Sequence, residues 1–144
     1  MRIKEGELMI SSRSTEYINR KLAGTHMILL NFAGILSSEA KRGATWRDRT
    51  SHARQSIHSG VDGRGRDLTI YLAHGVKYGA VLEEGSPPHI IRPKNKKALY
   101  WSGAAHPVKM VNHPGTRAHP VLENTLKNNK NRLMENVSDW WASE

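Results

Sequence analysis

The feature that most constrains the fold is a long stripe of apolar side chains at helical spacing near the amino-terminal end. Its residues recur at alternating intervals of four and three positions: Ile18, Leu22, Thr25, Leu29, Phe32 and Leu36. This spacing places them on one face of an α-helix over roughly six turns. Ser14 and Thr15 are suitable N-cap residues, and Gly43 is a suitable C-cap residue. We therefore predict a long helix over residues 14–42, preceded by an N-terminal arm at residues 1–13.

After residue 56 the apolar residues follow the two-residue alternation that is typical of β-strands. Ile57–Val61 and Leu68–Leu72 are predicted to pair, because the glycine-rich segment Asp62–Arg66 between them suits a hairpin loop. Three shorter strands are predicted further along the chain: His89–Arg92, Ala98–Trp101 and Val108–Val111. Short helices are predicted before each group of strands, as a single turn ending at Gln55 and as the segment Tyr78–Glu84.

A second long helix is predicted over residues 118–144, with Pro120 in its first turn. Its apolar positions share one face: Leu122, Leu126, Leu133, Val137 and Trp140. The order of elements predicts an α+β fold, because helices flank a run of strands rather than alternating with them. We expect a single domain over residues 1–144, in which the two long helices pack on an antiparallel sheet. The sheet, its short helices and its long hairpin and loops occupy residues 43–117.

The composition favours a basic protein with a lean hydrophobic core. The chain of 144 residues carries a formal net charge of +9, and only 38% of its residues are hydrophobic. A chain of this size can form an independent core, but that core would be lean, and an assembly that shares burial between copies would help it. A basic balance has three ordinary explanations, which are nucleic acid as partner, an acidic protein surface as partner, and solubility. No apolar run exceeds four residues, as in Met27–Leu30, which is too short for a bilayer, so we expect a soluble protein with no membrane partner.

No arrangement of residues in the sequence predicts a catalytic or metal site. The chain has no cysteine, and its eight histidines show no spacing that places two of them together on one element. We interpret four of them as turn or surface residues: His89, His106, His113 and His119. Glu83 and Glu84 are adjacent, and adjacent residues in a helix diverge by about 100°. We therefore expect no enzymatic activity and no cofactor. The alternative, a metal-dependent hydrolase or nuclease, would depend on His113 or His119.

Two other features indicate interaction surfaces. Trp140 and Trp141 are adjacent on a predicted helix, so both cannot face the same core, and exposed tryptophans are typical of interfaces. Arg64 and Arg66 lie at the predicted hairpin tip, from which they could reach DNA phosphates without reading sequence.

Four segments, in this order, resemble the head–tail joining or tail-completion family of tailed bacteriophages. They are Trp46–Ile57, Tyr78–Gly85, His89–Leu99 and Val111–Pro120. The residues that carry the resemblance most clearly are Trp46, Thr50, Tyr78, Glu83, Gly85, His113, Pro114, Gly115 and Pro120. The leading long helix is also in keeping with this family, so the resemblance extends over most of the chain.

The resemblance implies a non-enzymatic structural protein of the virion, present in the host cytoplasm during assembly. Such a subunit forms a ring, six-fold or else twelve-fold, in the neck that joins the DNA-filled head to the tail. Its neighbours would be portal-side adaptor or stopper proteins, the tail terminator or tail tube protein, and the double-stranded DNA passing through the lumen. The alternative that the charge alone leaves open is a stand-alone basic DNA-binding protein.

Within such a ring, charged segments are candidates for the contacts between copies. Glu83 and Glu84 are opposite in charge to the loop that contains Arg92, Lys94 and Lys96, and the two segments could meet across neighbouring subunits. Trp140 and Trp141 are further interface candidates. Arg64 and Arg66 are the candidates for lining the DNA channel.

Overall fold

The computed structural model describes the backbone of residues 5–143 and the side chains of residues 12–143, and it has an α+β fold. Its elements are α1 (Glu5–Gly43), α2 (His52–Gln55), β1 (Ile57–Arg64), β2 (Asp67–His74), α3 (Gly79–Glu84), β3 (His89–Ile91), β4 (Val111–His113) and α4 (Val121–Ala142). The chain forms two compact units. Unit 1 contains everything up to Val76 together with the chain from Val121 onward, and unit 2 is the intervening segment Lys77–Pro120.

Helix α1 begins at Glu5, so residues 5–13 of the predicted N-terminal arm are helical, while residues 1–4 lie outside the described residues. The serines and threonine near residue 14 do not start the helix. Their helix propensity is only about 0.5 kcal/mol poorer than that of alanine, which a long helix tolerates. The predicted apolar stripe is confirmed, because Leu29, Phe32 and Leu36 are buried.

Strands β1 and β2 form the predicted antiparallel hairpin, with a register running from Ile57↔His74 to Arg64↔Asp67. Both strands extend beyond the predicted bounds, and only two residues connect them. Gly63 and Gly65 have φ angles of 96° and 60° near this turn. A side chain at Gly63 would collide with the carbonyl oxygen of Asp67, so the tight turn requires glycine there.

The core of unit 1 lies where α1 contacts α4, β1 and β2. Its buried hydrophobic residues are Leu29, Phe32, Ala33, Leu36, Ala40, Trp46, Ala53, Ile57 and Val121. The Ser59 hydroxyl donates a 2.6 Å hydrogen bond to the carbonyl oxygen of Ala33, which ties β1 to the middle of α1. Helix α4 begins at Val121, three residues after its predicted start, and residue 144 of the prediction lies outside the described residues.

Unit 2 has little regular structure and differs most from the prediction. Strands β3 and β4 pair antiparallel from His89↔His113 to Ile91↔Val111, whereas Leu99 and Val108 form only an isolated bridge. The predicted strands Ala98–Trp101 and Val108–Val111 are therefore wrong, and β4 lies where a loop was expected. The described residues contain two separate two-stranded sheets in place of one larger sheet. Unit 2 has no buried face on which strand alternation would act, since Gly79 is its one buried residue.

Candidate functional site

Unit 1 has an apolar groove formed by α1, the β1–β2 hairpin and α4. Its main cavity has a volume of about 620 Å³. The lining residues are Ile18, Leu22, Thr25, Leu29, Gly65, Arg66, Leu68, Ile70, Leu133, Met134, Val137 and Trp141. An adjoining cavity of about 250 Å³ shares Ile70 and Leu133 and continues past Leu126, Lys127 and Lys130. We call both cavities together the unit 1 groove.

The groove exists because the facing elements present apolar side chains that do not meet. Leu68 and Ile70 alternate along β2 on one face, as their two-residue spacing dictates, and both are only half-buried. Leu133 and Val137 are one helical turn apart on α4 and are also half-buried. Met134 is 58% exposed although it lines the same cavity. Among the side chains of residues 12–143, a contiguous part of the apolar interior is thus open to water.

The hairpin tip lies at one edge of this groove. Arg64 and Arg66 are both exposed, as expected for residues that reach a partner. Arg66 lines the main cavity, whereas Arg64 lines a smaller cavity together with His26 of α1. Within the hairpin register Arg64 lies opposite Asp67, so one carboxylate offsets part of the positive charge. The tip therefore joins a basic and an apolar surface.

Residues of the first segment of the family resemblance form a hydrogen-bonded cluster at the end of α1. The Arg54 guanidinium donates to the Asp48 carboxylate at 2.5 Å and to the carbonyl oxygens of Lys41 and Ala44, so it caps the carboxy-terminal end of α1. The Trp46 indole N–H donates to the other Asp48 oxygen at 3.1 Å. Thr50 is exposed beside this cluster. Trp46 therefore has a structural role in unit 1.

In unit 2 the structure brings the second and fourth segments of the resemblance together. Ser86 and Thr116 exchange backbone hydrogen bonds of 2.9 and 3.0 Å, directly after α3 and the His113–Gly115 turn. Gly85 and Gly115 have positive φ angles of 76° and 91°, and a side chain on either would meet the opposite backbone. Glycine is thus required at both positions by close backbone approach.

Two histidines of unit 2, His89 and His113, contact each other and nearby backbone groups. His89 and His113 are stacked across β3 and β4, with ring centroids 4.9 Å apart. His113 Nδ1 accepts a 3.1 Å hydrogen bond from the Gly115 N–H, and His89 Nδ1 lies 2.9 Å from the Pro87 carbonyl oxygen. Among residues 12–143, no three His, Asp or Glu side chains come together as metal ligands. Pro114 is exposed within this turn, and Pro120 directly precedes α4.

The charged interface candidates lie on the surface of unit 2. Arg92, Lys94 and Lys96 are all exposed in the loop after β3. Glu84 is exposed at the end of α3, whereas Glu83 is half-buried. Tyr78, at the start of α3, is 48% exposed.

Both tryptophans near the end of α4 contact α1 of the same chain. The Trp140 indole N–H donates to the carbonyl oxygen of Lys21 at 2.8 Å, and the Trp141 indole N–H donates to the Thr25 hydroxyl at 3.0 Å. Trp140 is half-buried, whereas Trp141 remains 40% exposed on the groove. A side chain at Gly24 would collide with the Trp140 ring, so glycine permits this close approach.

Lys21 is a structural residue that the sequence reasoning missed. Its side chain is only 1% exposed, and its ammonium donates to the carbonyl oxygens of Trp140 and Ser143 at 2.6 and 2.5 Å. It also lies 4.6 Å from the centroid of the Trp140 ring, which is a cation–π distance. A signal was present, since Lys21 lies three residues after Ile18 and four before Thr25, on the apolar face of α1.

No helix in the described part of the chain is both long and apolar enough to cross a membrane. Comparison with protein-family models, with curated proteins and with solved structures gives no match. The resemblance to head–tail joining proteins therefore stays a prediction.

Proposed function

We propose that this chain is a structural subunit of a tailed-phage neck, which forms a ring between the DNA-filled head and the tail. The observation that carries the proposal is the unit 1 groove, a contiguous apolar surface on a chain with a net charge of +9. Grooves lined by apolar side chains are among the surface features at which proteins bind other molecules. The ordered resemblance of the four sequence segments supplies the class of assembly.

The ring comes from the family resemblance, and two different apolar surfaces on one chain are compatible with it. Closed rings require a heterologous interface, in which one patch of a subunit binds a different patch of its neighbour. The groove lies on unit 1, and exposed apolar side chains of a different kind lie on unit 2, including Tyr78, Val81, Tyr100 and Trp101. The proposed ring is six-fold, with twelve-fold as the other geometry. Adaptor or stopper proteins on the portal side and the tail terminator or tail tube protein would be its neighbours.

The basic residues fit the proposed passage of DNA through the ring. Arg64 and Arg66 project from a tight, glycine-dependent turn, and both are exposed. Contacts from such a tip would be made to phosphates and would not depend on base sequence. The proposed role involves no chemical step and no cofactor, because the subunit acts by its shape and charge.

The direct test mixes the purified chain with DNA-filled heads or with assembled tails that lack it. We expect rings of uniform diameter by electron microscopy, or a subunit that co-sediments with one of these particles and appears at its neck end. A chain that stays monomeric and binds neither particle would contradict the proposal.

The runner-up is a stand-alone DNA-binding protein, which the exposed arginines of the hairpin tip favour. It predicts that the monomer binds duplex DNA and that the affinity falls steeply with salt. Replacing Arg64 and Arg66 with alanine would then lower the slope of log K against log salt by about one per lost phosphate contact. A matched variant with alanine at Arg42 and Arg49, both exposed on unit 1 but away from the tip, controls for net charge. An equal decrease of this slope in both double variants would contradict a specific role for the tip.

A further inference from the structure

We infer that the unit 1 groove binds helix α3 of a second copy of this chain, so that copies associate head to tail. This inference rests on the proposed ring, because it names the contact from which the ring is built. Three features of the chain favour this contact: the volume of the groove, the charge at its edge, and the chemistry of the segments that unit 2 exposes.

The groove is large enough for several side chains of a partner. Its main cavity has a volume of about 620 Å³, and the adjoining cavity adds about 250 Å³. Its walls are leucine, isoleucine and valine side chains from three elements, so the surface to be covered is apolar. Two of these elements, α1 and α4, are also joined at the Lys21–Trp140 contact, which holds one end of the groove in place.

The edge of the groove is basic. Arg66 lines the main cavity and Lys130 lines the adjoining one, and both side chains are exposed. An occupant with apolar side chains and a nearby carboxylate would therefore match both the walls and the edge.

Helix α3 has this combination. Tyr78 and Val81 are 48% and 41% exposed, and with Glu84 they recur every three residues, which places them on one side of the helix. Glu83 and Glu84 are also the only carboxylate side chains between Lys77 and Pro120.

The other exposed apolar residues of unit 2 do not match, because basic residues lie beside them. Ile90 and Ile91 directly precede Arg92, and Met110 directly follows Lys109. Tyr100 and Trp101 are 69% and 50% exposed, but the residues that precede them include Lys94, Lys96 and Lys97. This segment has the same sign of charge as Arg66 and Lys130. Charge therefore selects α3 over the Tyr100–Trp101 segment as the occupant of the groove.

The proposed contact joins different surfaces of two copies, so it repeats around an axis and closes into a ring at the right rotation. It also gives Glu84 a different partner from the Arg92–Lys96 loop that the sequence suggested. Both alternatives can be separated by charge reversal, because the rescuing partner lies on unit 1 in one case and on unit 2 in the other.

A disulfide test is clean because the chain has no cysteine of its own. Val81→Cys and Val137→Cys are prepared as two separate proteins, one with a mass tag, and mixed before assembly. We expect a disulfide-linked heterodimer in the mixture, which the mass tag identifies. Neither protein alone should form a disulfide-linked dimer. A mixture of Val81→Cys with Asn31→Cys, an exposed position elsewhere on unit 1, is the control and should give no product.

The outcomes distinguish the inference from the proposed function. If wild-type rings form but the Val81–Val137 pair gives no heterodimer, the docking of α3 is overturned and the ring stands. If the wild-type chain forms no ring and does not join heads or tails, the proposed function itself is overturned. A product in the Asn31→Cys control equal to that of the test pair would also overturn the docking.

Charge reversal gives an independent second test. Glu84→Arg should raise the concentration needed for ring assembly at least tenfold. Adding Lys130→Glu or Arg66→Glu should restore assembly. Glu16→Arg, an exposed change of the same size on α1, is the control and should leave assembly unchanged. Rescue by Lys94→Glu with Lys96→Glu, and not by either unit 1 reversal, would overturn the inference. Normal assembly of Glu84→Arg would do the same.

Discussion

Unit 1 and unit 2 are each stabilised internally by a different kind of interaction. Unit 1 has a hydrophobic core in which Leu36 and Ile57 are each only 1% exposed, and long-range hydrogen bonds join α1 to α4. Unit 2 buries only Gly79, and its order depends on short backbone ladders and on glycines at close approaches. Unit 1 is thus stabilised by burial, whereas unit 2 is stabilised by backbone geometry. Unit 2 is therefore the part expected to gain most from contacts with other subunits.

The largest expected effect comes from removing core volume in unit 1. Leu36→Ala should lower the free energy of unfolding by about 2–5 kcal/mol, because it leaves a cavity among buried neighbours. Ile90→Ala in unit 2 should change it by less than about 0.5 kcal/mol, since Ile90 is 54% exposed. Urea unfolding of both variants measures the difference, and equal losses would show that unit 2 has a core of its own.

The next effect is on unit 2 and acts through the backbone. Gly115→Ala should favour local opening of unit 2 by about 1–3 kcal/mol, because its φ of 91° is strained for alanine and the new methyl group meets the Ser86 carbonyl oxygen. Gly103→Ala is the matched control, with a φ of 97° but open space around it. Hydrogen exchange should increase more for Gly115→Ala than for Gly103→Ala, and only within residues 77–120.

The third effect concerns the Lys21 contact between α1 and α4. Lys21→Met should lower the free energy of unfolding by about 1–3 kcal/mol, because the carbonyl oxygens of Trp140 and Ser143 lose their buried donor. Arg20→Met changes an exposed neighbour on the same helix and should stay within about 0.5 kcal/mol of wild type. Faster exchange in the last turn of α4 would accompany the loss in Lys21→Met. Unchanged exchange there would show that Lys21 does not hold this end of the helix.

The smallest expected effect comes from replacing two glycines of α1, which should change the stability of the protein in opposite directions. Gly34→Ala has open space around it and should stabilise the helix by up to about 1 kcal/mol. Gly24→Ala introduces a methyl group into the Trp140 ring, and overpacking of about 1–3 kcal/mol should outweigh the gain in helix propensity. Thermal unfolding of the two variants gives the signs, and stabilisation by both would mean that α4 packs less closely on α1 than described.

The sequence allowed unit 1 to be predicted better than unit 2, for a physical reason. The apolar stripe of α1 and the β1–β2 hairpin were correctly predicted because the residue spacing reports burial, and unit 1 has a buried interior. In unit 2 the segments Ala98–Trp101 and Val108–Val111 resemble strands by composition. They form only one bridge, because no buried face fixes their pairing.

Contacts between distant parts of the chain were beyond sequence reasoning. Lys21 and Trp140 are 119 residues apart, and no periodicity within one helix identifies the carbonyl that a lysine on another helix will bind. The unit 1 groove was missed for the same reason, since it arises from the spacing of three separate elements. The hairpin arginines could be found because glycines of suitable spacing mark a tight turn locally.

The central claim is that this chain completes its burial by forming a ring of identical subunits. Native mass spectrometry of the purified wild-type chain, over a range of concentrations, tests it most directly. The account predicts one closed species, of six or else twelve copies, with no ladder of larger sizes. A chain that stays monomeric to the highest concentration and also binds neither heads nor tails would contradict the account, and so would an open-ended series of oligomers.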